Sequence, residues 1–458
     1  MYAGFDYGTS NCAIGVLNAA ESEQTVQLLP IGRAGAYIPS TLYALERELI
    51  SEFVAHNISD TKVQEGYLRL RKNALAQARS VRREHDILDT EQSLFFGQDA
   101  YDQYLTMPEE GYFVKSPKSF LGASGLRPEF VQFFEDLVTA MMQNVKRRAE
   151  LSVNKVIDHT VIGRPVNFQG INAEESNRQA IEILTTSARR AGFKSVEFLF
   201  EPLAAGLDFE TKLHQDKTVL VVDVGGGTSD CAMVKMGPSH RHKVERANDF
   251  LAHTGERVGG NDLDIQLAGK IMMPLFGLHS LLKNGQPMPS YLFWDAVSTN
   301  DVGAQAKFNS LQTGLSLDRL LLDTTEPQLL RRLIQLRHDK QHYHVVRSAE
   351  EGKIALSNSN KVTVPLSYIE EGLSCVVDEG QFVEAIERPL SRVMALMKEA
   401  IRQAGCQPDL IYVTGGTAKS PAIRQAITKE LGAIDVVDGD HFGSVAAGLT
   451  VWAQRLYR

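Results

Sequence analysis

The sequence predicts an α/β protein built from two related halves that face one another. Three observations carry this. Residues 5–13 read FDYGTSNCA and residues 222–232 read VDVGGGTSDCA, each an apolar strand, an Asp, a small-residue turn with Thr and Ser, and a second apolar strand. Between these echoes the pattern runs strand, helix, strand, helix, which is the layout of a buried sheet with covering helices. Near the end, Leu410–Thr414 forms a third short apolar strand and again runs into small residues, Gly415-Gly416-Thr417.

Taken in order, the first hairpin continues through Ile14–Leu17. Residues 62–83 place Tyr67, Leu70, Ala74, Ala78 and Val81 on one helical face, with Lys62, Arg69, Arg71, Lys72, Arg79, Arg82 and Arg83 expected on a solvated surface. Val156–Ile162 reads as a strand that ends at Gly163-Arg164-Pro165. Asn172 then fits an N-cap with Glu175 completing a capping box, Ile181, Leu184 and Ala188 share a face, and Gly192 stops the helix. Val196–Phe200 is a strand ending at Glu201-Pro202, and Pro202 suits the first turn of a helix through Leu203–Phe209. Thr218–Val222 leads into the second turn, and Met233–Val234 leaves it. Residues 382–404 carry Phe382, Ile386, Leu390, Val393, Met397, Ile401 and Ala404 at helical spacing, with Pro389 expected to kink or split the run. Ser420 and Pro421 open another helix that buries Ile423, Ala426, Ile427 and Leu431, and residues 444–456 form a last one.

Composition narrows the function classes. The 458 residues carry 48 Lys and Arg against 56 Asp and Glu, a net charge of −8, so no global field draws the chain to nucleic acid or anionic lipid. Cys12, Cys231, Cys375 and Cys406 include no Cys-x-x-Cys pair and form no disulfide framework, which points to a reducing compartment. The start, MYAGFDYGTSN, has no signal-peptide pattern, and no apolar run approaches the roughly 20 residues of a membrane span. A soluble, cytoplasmic protein without membrane or nucleic-acid partners is expected. His338, His342 and His344 lack an evident further metal ligand and are expected to be exposed.

The turns carry the chemistry. An Asp at a strand end followed by Gly, Thr and Ser lets backbone N–H groups converge on phosphate oxygens, with hydroxyls of Thr9, Ser10, Thr228 and Ser229 adding donors. A carboxylate would repel bare polyphosphate, so Asp6 and Asp223 imply Mg²⁺ between them and it, held through water because this ion dehydrates reluctantly. No Gly-x-x-x-x-Gly-Lys-Ser/Thr occurs, and Gly225-Gly226-Gly227 lacks the spacing of a dinucleotide fingerprint.

These segments resemble the actin, sugar-kinase and heat-shock ATPase superfamily, and within it the nucleotide-binding domain of DnaK-type (seventy-kilodalton heat-shock) chaperones. GFDYGTSNCAIGV at 4–16 is similar to their first phosphate loop and VLVVDVGGGTSDCAMV at 219–234 to their second. FEPLAAG at 200–206, GGNDLD at 259–264 and VTGGTAKSP at 413–421 resemble further family segments. The resemblance implies an actin-like ATPase fold: two duplicated lobes with ribonuclease-H-like sheets around a nucleotide cleft. Lobe I would span 1–215 with an outer insertion at about 35–115, lobe II 216–443 with an enlarged outer part at about 256–370, and helix 444–458 would return to lobe I. ATP or ADP with Mg²⁺ is the implied ligand, and an unidentified protein the implied partner. Asp6 and Asp223 would order the metal's waters and Glu201 the attacking water, with Asp223 or Thr228 taking its proton. Gly8, Thr9, Ser10, Asn11, Gly225, Gly226, Gly227 and Thr228 would hold phosphates. Glu350, Lys353 and Ser357 would grip adenosine from one side, and Gly415, Gly416, Thr417 and Lys419 would line the other.

The departures shape the expected activity. A lysine of the family reaches the terminal phosphate from the first lobe's insertion. Local alignment puts Tyr101 there, with Lys115 or Lys118 as substitutes. Ile354 stands where the family has an adenine-stacking Arg, which removes a cation–π contribution. The chain ends at Arg458 with no interdomain linker or peptide-binding sandwich in view. The expectation is a DnaK-like ATP-binding protein with weak ATPase activity. The alternatives are an actin-like filament protein and a small-molecule kinase. Residues 270–349 fit the resemblance poorly, and their role is left open.

Overall fold

Two antiparallel hairpins seed the architecture of this computed structural model, which describes the chain apart from residues 18–24, 109, 124, 126, 169–172, 242, 244–245, 433, 440–442 and 458. The chain divides into two compact units. The first comprises Met1–Arg257, Val393–Ala418 and Thr428–Arg458, and the second Val258–Arg392 with Lys419–Ile427.

The first unit opens with β1 (Tyr2–Tyr7), β2 (Asn11–Leu17), β3 (Val26–Leu28) and the two-residue β4 (Ile38–Pro39). β5 (Thr41–Ala44), β6 (Leu94–Phe96) and β7 (Tyr112–Lys115) then make a separate three-stranded sheet. β8 (His159–Arg164) and β9 (Ser195–Phe200) return to extend the first sheet in the order β3-β2-β1-β8-β9. A second sheet begins with β10 (Lys217–Val224), β11 (Ser229–Met236) and β12 (Phe250–Glu256). The hairpin of β13 (Lys361–Pro365) and β14 (Ser374–Asp378) belongs to the second unit. β15 (Leu410–Thr414) and β16 (Val436–Asp438) then complete the order β12-β11-β10-β15-β16. Both sheets have the same plan: three antiparallel strands followed by two parallel ones.

The hairpins agree in register as well. Asp6 pairs with Ala13 and Tyr7 with Cys12, while Asp223 pairs with Asp230 and Val224 with Ser229. In each the Asp stands opposite the residue seven positions on, so the two turns are the same turn with different residues.

Two helices bring the sheets' strand ends together. Ser444–Tyr457 packs on β1 and against the helix Glu201–Glu210, which in turn lies on β10 and β11. The approach is at backbone distance. A Cβ on Gly448 would fall 1.6 Å from the Ala204 carbonyl oxygen, and one on Gly4 would fall 2.2 Å from the Thr450 nitrogen. Leu203, Ala204, Val221, Ala232, Tyr412 and Leu449 fill the core at this crossing, and Phe5, Ile14, Met141, Val145 and Leu184 belong to the core on the other side of the first sheet.

The helix expected from Asn172 runs Ala173–Arg190; Asn172 itself lies outside the described residues. Residues 62–83 form two helices, Thr61–Leu70 and Lys72–Glu84, rather than one face. The break is at Arg71, which is buried and pairs with Glu135 and Asp136. Restarting the helix there shifts its phase, so Leu70 is 57% exposed and Leu75 is buried instead. Arg82, also expected at the surface, is buried against Glu52. Pro389 does not split its helix, which is continuous over Glu379–Ala404.

In the second unit, Gly260–Leu267 leads through a π turn, Ala268–Met272, into the helices Tyr291–Val297, Val302–Asn309, Leu311–Asp323, Pro327–His338 and His342–Leu356. Met272, Phe276, Phe293, Phe308, Leu333 and Val345 are buried within it. Of the three histidines there, His338 is exposed, but His342 is buried beside Phe308, and His344 stacks on Tyr368 at 3.5 Å. Burial lowers both the His342 and His344 imidazoles to about 4, so they pack as neutral rings. Among the described residues no helix is long and apolar enough to cross a membrane, and Cys12, Cys231, Cys375 and Cys406 are free thiols.

Candidate functional site

In the first unit the two Asp-led turns meet. A Cβ on Gly226 would lie 1.8 Å from Ser10 Oγ, and one on Gly227 would lie 2.6 Å from Thr9 Cγ2 and 3.2 Å from Ser119 Oγ. The turns therefore approach so closely that a side chain at 226 or 227 would press on Ser10 or Thr9 of the opposite turn. Gly225 N–H donates to the Thr228 carbonyl at 3.0 Å and closes the second turn. The third turn abuts the same place. Gly415, at φ +89°, would put a Cβ 2.3 Å from the Val224 carbonyl oxygen and 2.6 Å from Asp223 Oδ1, and Thr417 donates to the Gly225 carbonyl at 3.0 Å.

The first turn is fixed by Ser40. Its hydroxyl donates to the Gly8 carbonyl at 2.6 Å, and its N–H to the Ser10 carbonyl at 2.9 Å. The Ser40 carbonyl in turn accepts from Ser116 N–H at 2.8 Å. Ser116 adopts φ +57° and starts the 3₁₀ turn Pro117–Phe120. This chain of contacts delivers Lys118, buried, to Glu201, with its ammonium also 3.4 Å from the Gly163 carbonyl. Tyr101 is elsewhere. It sits in the helix Gln98–Thr106 and packs on Phe113 with ring centres 5.4 Å apart. Among the described residues it is Lys118 that stands at Glu201, and Tyr101 does not. The sequence offered Lys115 and Lys118 as substitutes without choosing between them, because Ser40 and Ser116 are joined only in the folded chain.

Four carboxylates converge with that lysine: Asp6, Glu201, Asp223 and Asp230. Glu201 is the first residue of its helix, where the N-terminal dipole favours a negative charge. Burial first, and then the charge of Glu201, push the Asp6 carboxyl up to about 7, although Lys118 opposes this. Asp223 is raised well above the usual carboxylate range by burial and then by Glu201, Asp230 and Asp6. Asp230 is raised to about 7 by burial and Glu201, while the Val166 N–H at 2.7 Å and the Thr228 hydroxyl favour its charged form. Burial alone would lower the Lys118 ammonium, but Glu201 and Asp6 outweigh it and hold it above its ordinary value. Asp230 was not among the residues predicted from sequence. Its signal was there: it stands seven positions after Asp223, directly opposite it across the hairpin.

Carboxylates outnumber the lysine, and this excess fits a dication. Among the described residues no group of three or more His, Cys, Asp or Glu is placed to ligate a metal directly.

Residues 128–274 match the family model described as Hsp70 protein. The matched stretch is less than half of the chain. It contains Glu201, Gly225–Asp230 and GGNDLD, and supports an Hsp70-type nucleotide-binding domain; Asp6, Lys118 and Gly415 lie outside it.

The residues expected at adenosine divide between the units. Gly415, Gly416 and Thr417 belong to the first, while Glu350, Lys353, Ser357 and Lys419 belong to the second. There Lys353 pairs with Asp264 at 2.7 Å and donates to the Gly260 carbonyl at 3.3 Å, tying its helix to the GGNDLD segment. Glu350 accepts from Arg347, Ser357 ends the helix, and Ile354 is 54% exposed. Asn11 opens β2 and pairs with Pro39.

Proposed function

We propose that the chain is a DnaK-like ATP-binding protein that holds Mg·ATP between its two Asp-led turns and hydrolyses it slowly. One observation carries the reading: two hairpins of identical register bring Asp6 and Asp223 to a buried site that also holds a Lys118–Glu201 pair. The repeated sheet plan supports a duplicated actin-like fold, and the Hsp70 match supports adenine nucleotide as the ligand. Asp6 and Asp223 would hold the metal through water, and the metal would neutralise charge on the phosphates. Gly8, Thr9, Ser10, Gly226, Gly227 and Thr228 would bind phosphate oxygens, and Lys118 the terminal one. Glu201 would orient a water whose oxygen bonds to the terminal phosphorus as the bond to the ADP oxygen breaks. ADP would leave with that electron pair, and the water's proton would pass to Asp223 in its charged form or to Thr228. Free thiols support a reducing, cytoplasmic setting, and a protein partner would read the nucleotide state.

Calorimetry with ATP, with and without Mg²⁺, tests this. The native chain should bind Mg·ATP, and Asp223→Ala should lose the Mg²⁺-dependent part. Indifference of the native chain to adenine nucleotides would overturn the reading.

A further inference from the structure

Arg164 closes β8, one residue beyond the glycine whose carbonyl faces Lys118. It stands beside Phe200 in the parallel register, and its guanidinium lies over that ring at 4.7 Å. His253 also stacks on the Phe200 ring, at 5.3 Å. Nε donates to the Pro165 carbonyl and Nη2 to the Val166 carbonyl, each at 3.2 Å. These bonds curl the side chain around the segment whose Val166 N–H holds Asp230.

The head group is thus pinned by a ring and two carbonyls, and none of these neutralises it. Arg164 forms no ion pair among the described residues, and its Nη1 donors have no partner there. Burial works against its charge, while Glu201 and Asp230 are near enough to favour it. A half-buried guanidinium held rigid, with donors to spare beside a carboxylate cluster, is complementary to a tetrahedral oxyanion.

We propose that Arg164 is a second phosphate-contacting cation, which takes the terminal phosphoryl group as it separates from ADP and then the inorganic phosphate product. The inference rests on the phosphoryl-transfer reading above. Arg164 gives and receives no proton in the step; it supplies N–H···O bonds to oxygens whose charge grows as the bond to ADP breaks.

The test compares the native chain with Arg164→Met and Arg164→Lys. Three quantities are read: affinity for Mg·ADP, affinity for Mg·ADP with fluoroaluminate as the mimic of the group in flight, and turnover. Arg164→Met should keep Mg·ADP affinity within about twofold and lose about a hundredfold in turnover and in fluoroaluminate binding. Arg164→Lys should recover part of both, and added methylguanidinium should restore part of both to Arg164→Met. Fluoroaluminate binding unchanged in Arg164→Met would overturn the proposal. So would an equal loss of Mg·ADP affinity without rescue, which would mark Arg164 as scaffold only. A native chain that binds no adenine nucleotide would sink the functional reading itself, and this inference with it. A native chain that binds nucleotide beside an unaffected Arg164→Met would sink the inference alone.

Discussion

Lys118 shows how one side chain can be both structural and functional. It is buried against Glu201 and close to Asp6, so removing it leaves carboxylates without their counter-charge. Breaking a buried pair from one side costs about 3–5 kcal/mol. Lys118→Met should therefore lower the denaturant midpoint strongly and also abolish turnover. Lys118→Met combined with Glu201→Gln should be more stable than Lys118→Met alone, because the stranded charge is gone, while turnover stays absent. Urea titration of the three variants checks this. Tyr101→Lys should give no gain of turnover and should lose stability, since the ring packs on Phe113 away from the site.

At the level of elements, the site depends on how closely backbones approach. The helix that begins at Glu201 is pressed at Ala204 against Gly448, where a Cβ would sit 1.6 Å from a carbonyl oxygen. A methyl group there cannot be absorbed by a rotamer change, because the clash is with backbone. Gly448→Ala should cost about 3 kcal/mol, at the upper end of ordinary overpacking, and should weaken nucleotide binding by displacing Glu201. Thermal unfolding and calorimetry read the two effects separately. Gly226→Ala meets a softer neighbour, Ser10 Oγ at 1.8 Å, so its stability loss should be small while its phosphate loop opens. A loss of ATP affinity above about tenfold, partly recovered by adding Ser10→Ala, would show that the two turns press on one another.

Across the whole molecule, the carboxylate cluster makes stability depend on pH and on ligand. Asp6 and Asp230 titrate near 7 when folded, against 3.8 when unfolded. Between those values the folded chain holds protons that the unfolded chain has released. The cluster's contribution to stability therefore falls as pH rises from about 4 to about 7 and is least favourable above that. Each such shift corresponds to roughly 4 kcal/mol at most. Asp230→Asn removes one of these penalties, so its melting temperature relative to the native chain should climb between pH 5 and pH 8 without nucleotide. Scanning calorimetry at both pH values decides it; a difference independent of pH would contradict the buried-cluster account. Mg·ATP should stabilise the native chain more at pH 8 than at pH 5, since charged carboxylates hold the hydrated metal.

Turn chemistry and strand periodicity made the hairpins at Asp6 and Asp223, the helix opening at Glu201-Pro202 and the third turn at Gly415 legible in the sequence, because each is a local pattern of a few residues. The same locality hid the break at Arg71, where a buried ion pair with Glu135 and Asp136 overrides a continuous helical face. It also hid the delivery of Lys118 through Ser40 and Ser116, the pairing of Asp230 with Asp223, and the seat of Arg164 on Phe200. Those depend on strand register and on contacts between residues far apart in the chain, and only folding fixes them. The sequence alone determined which turns could cradle phosphate; the tertiary structure decided which charges stand around them, because a buried charge is held by whatever partners packing brings near and not by its neighbours along the chain.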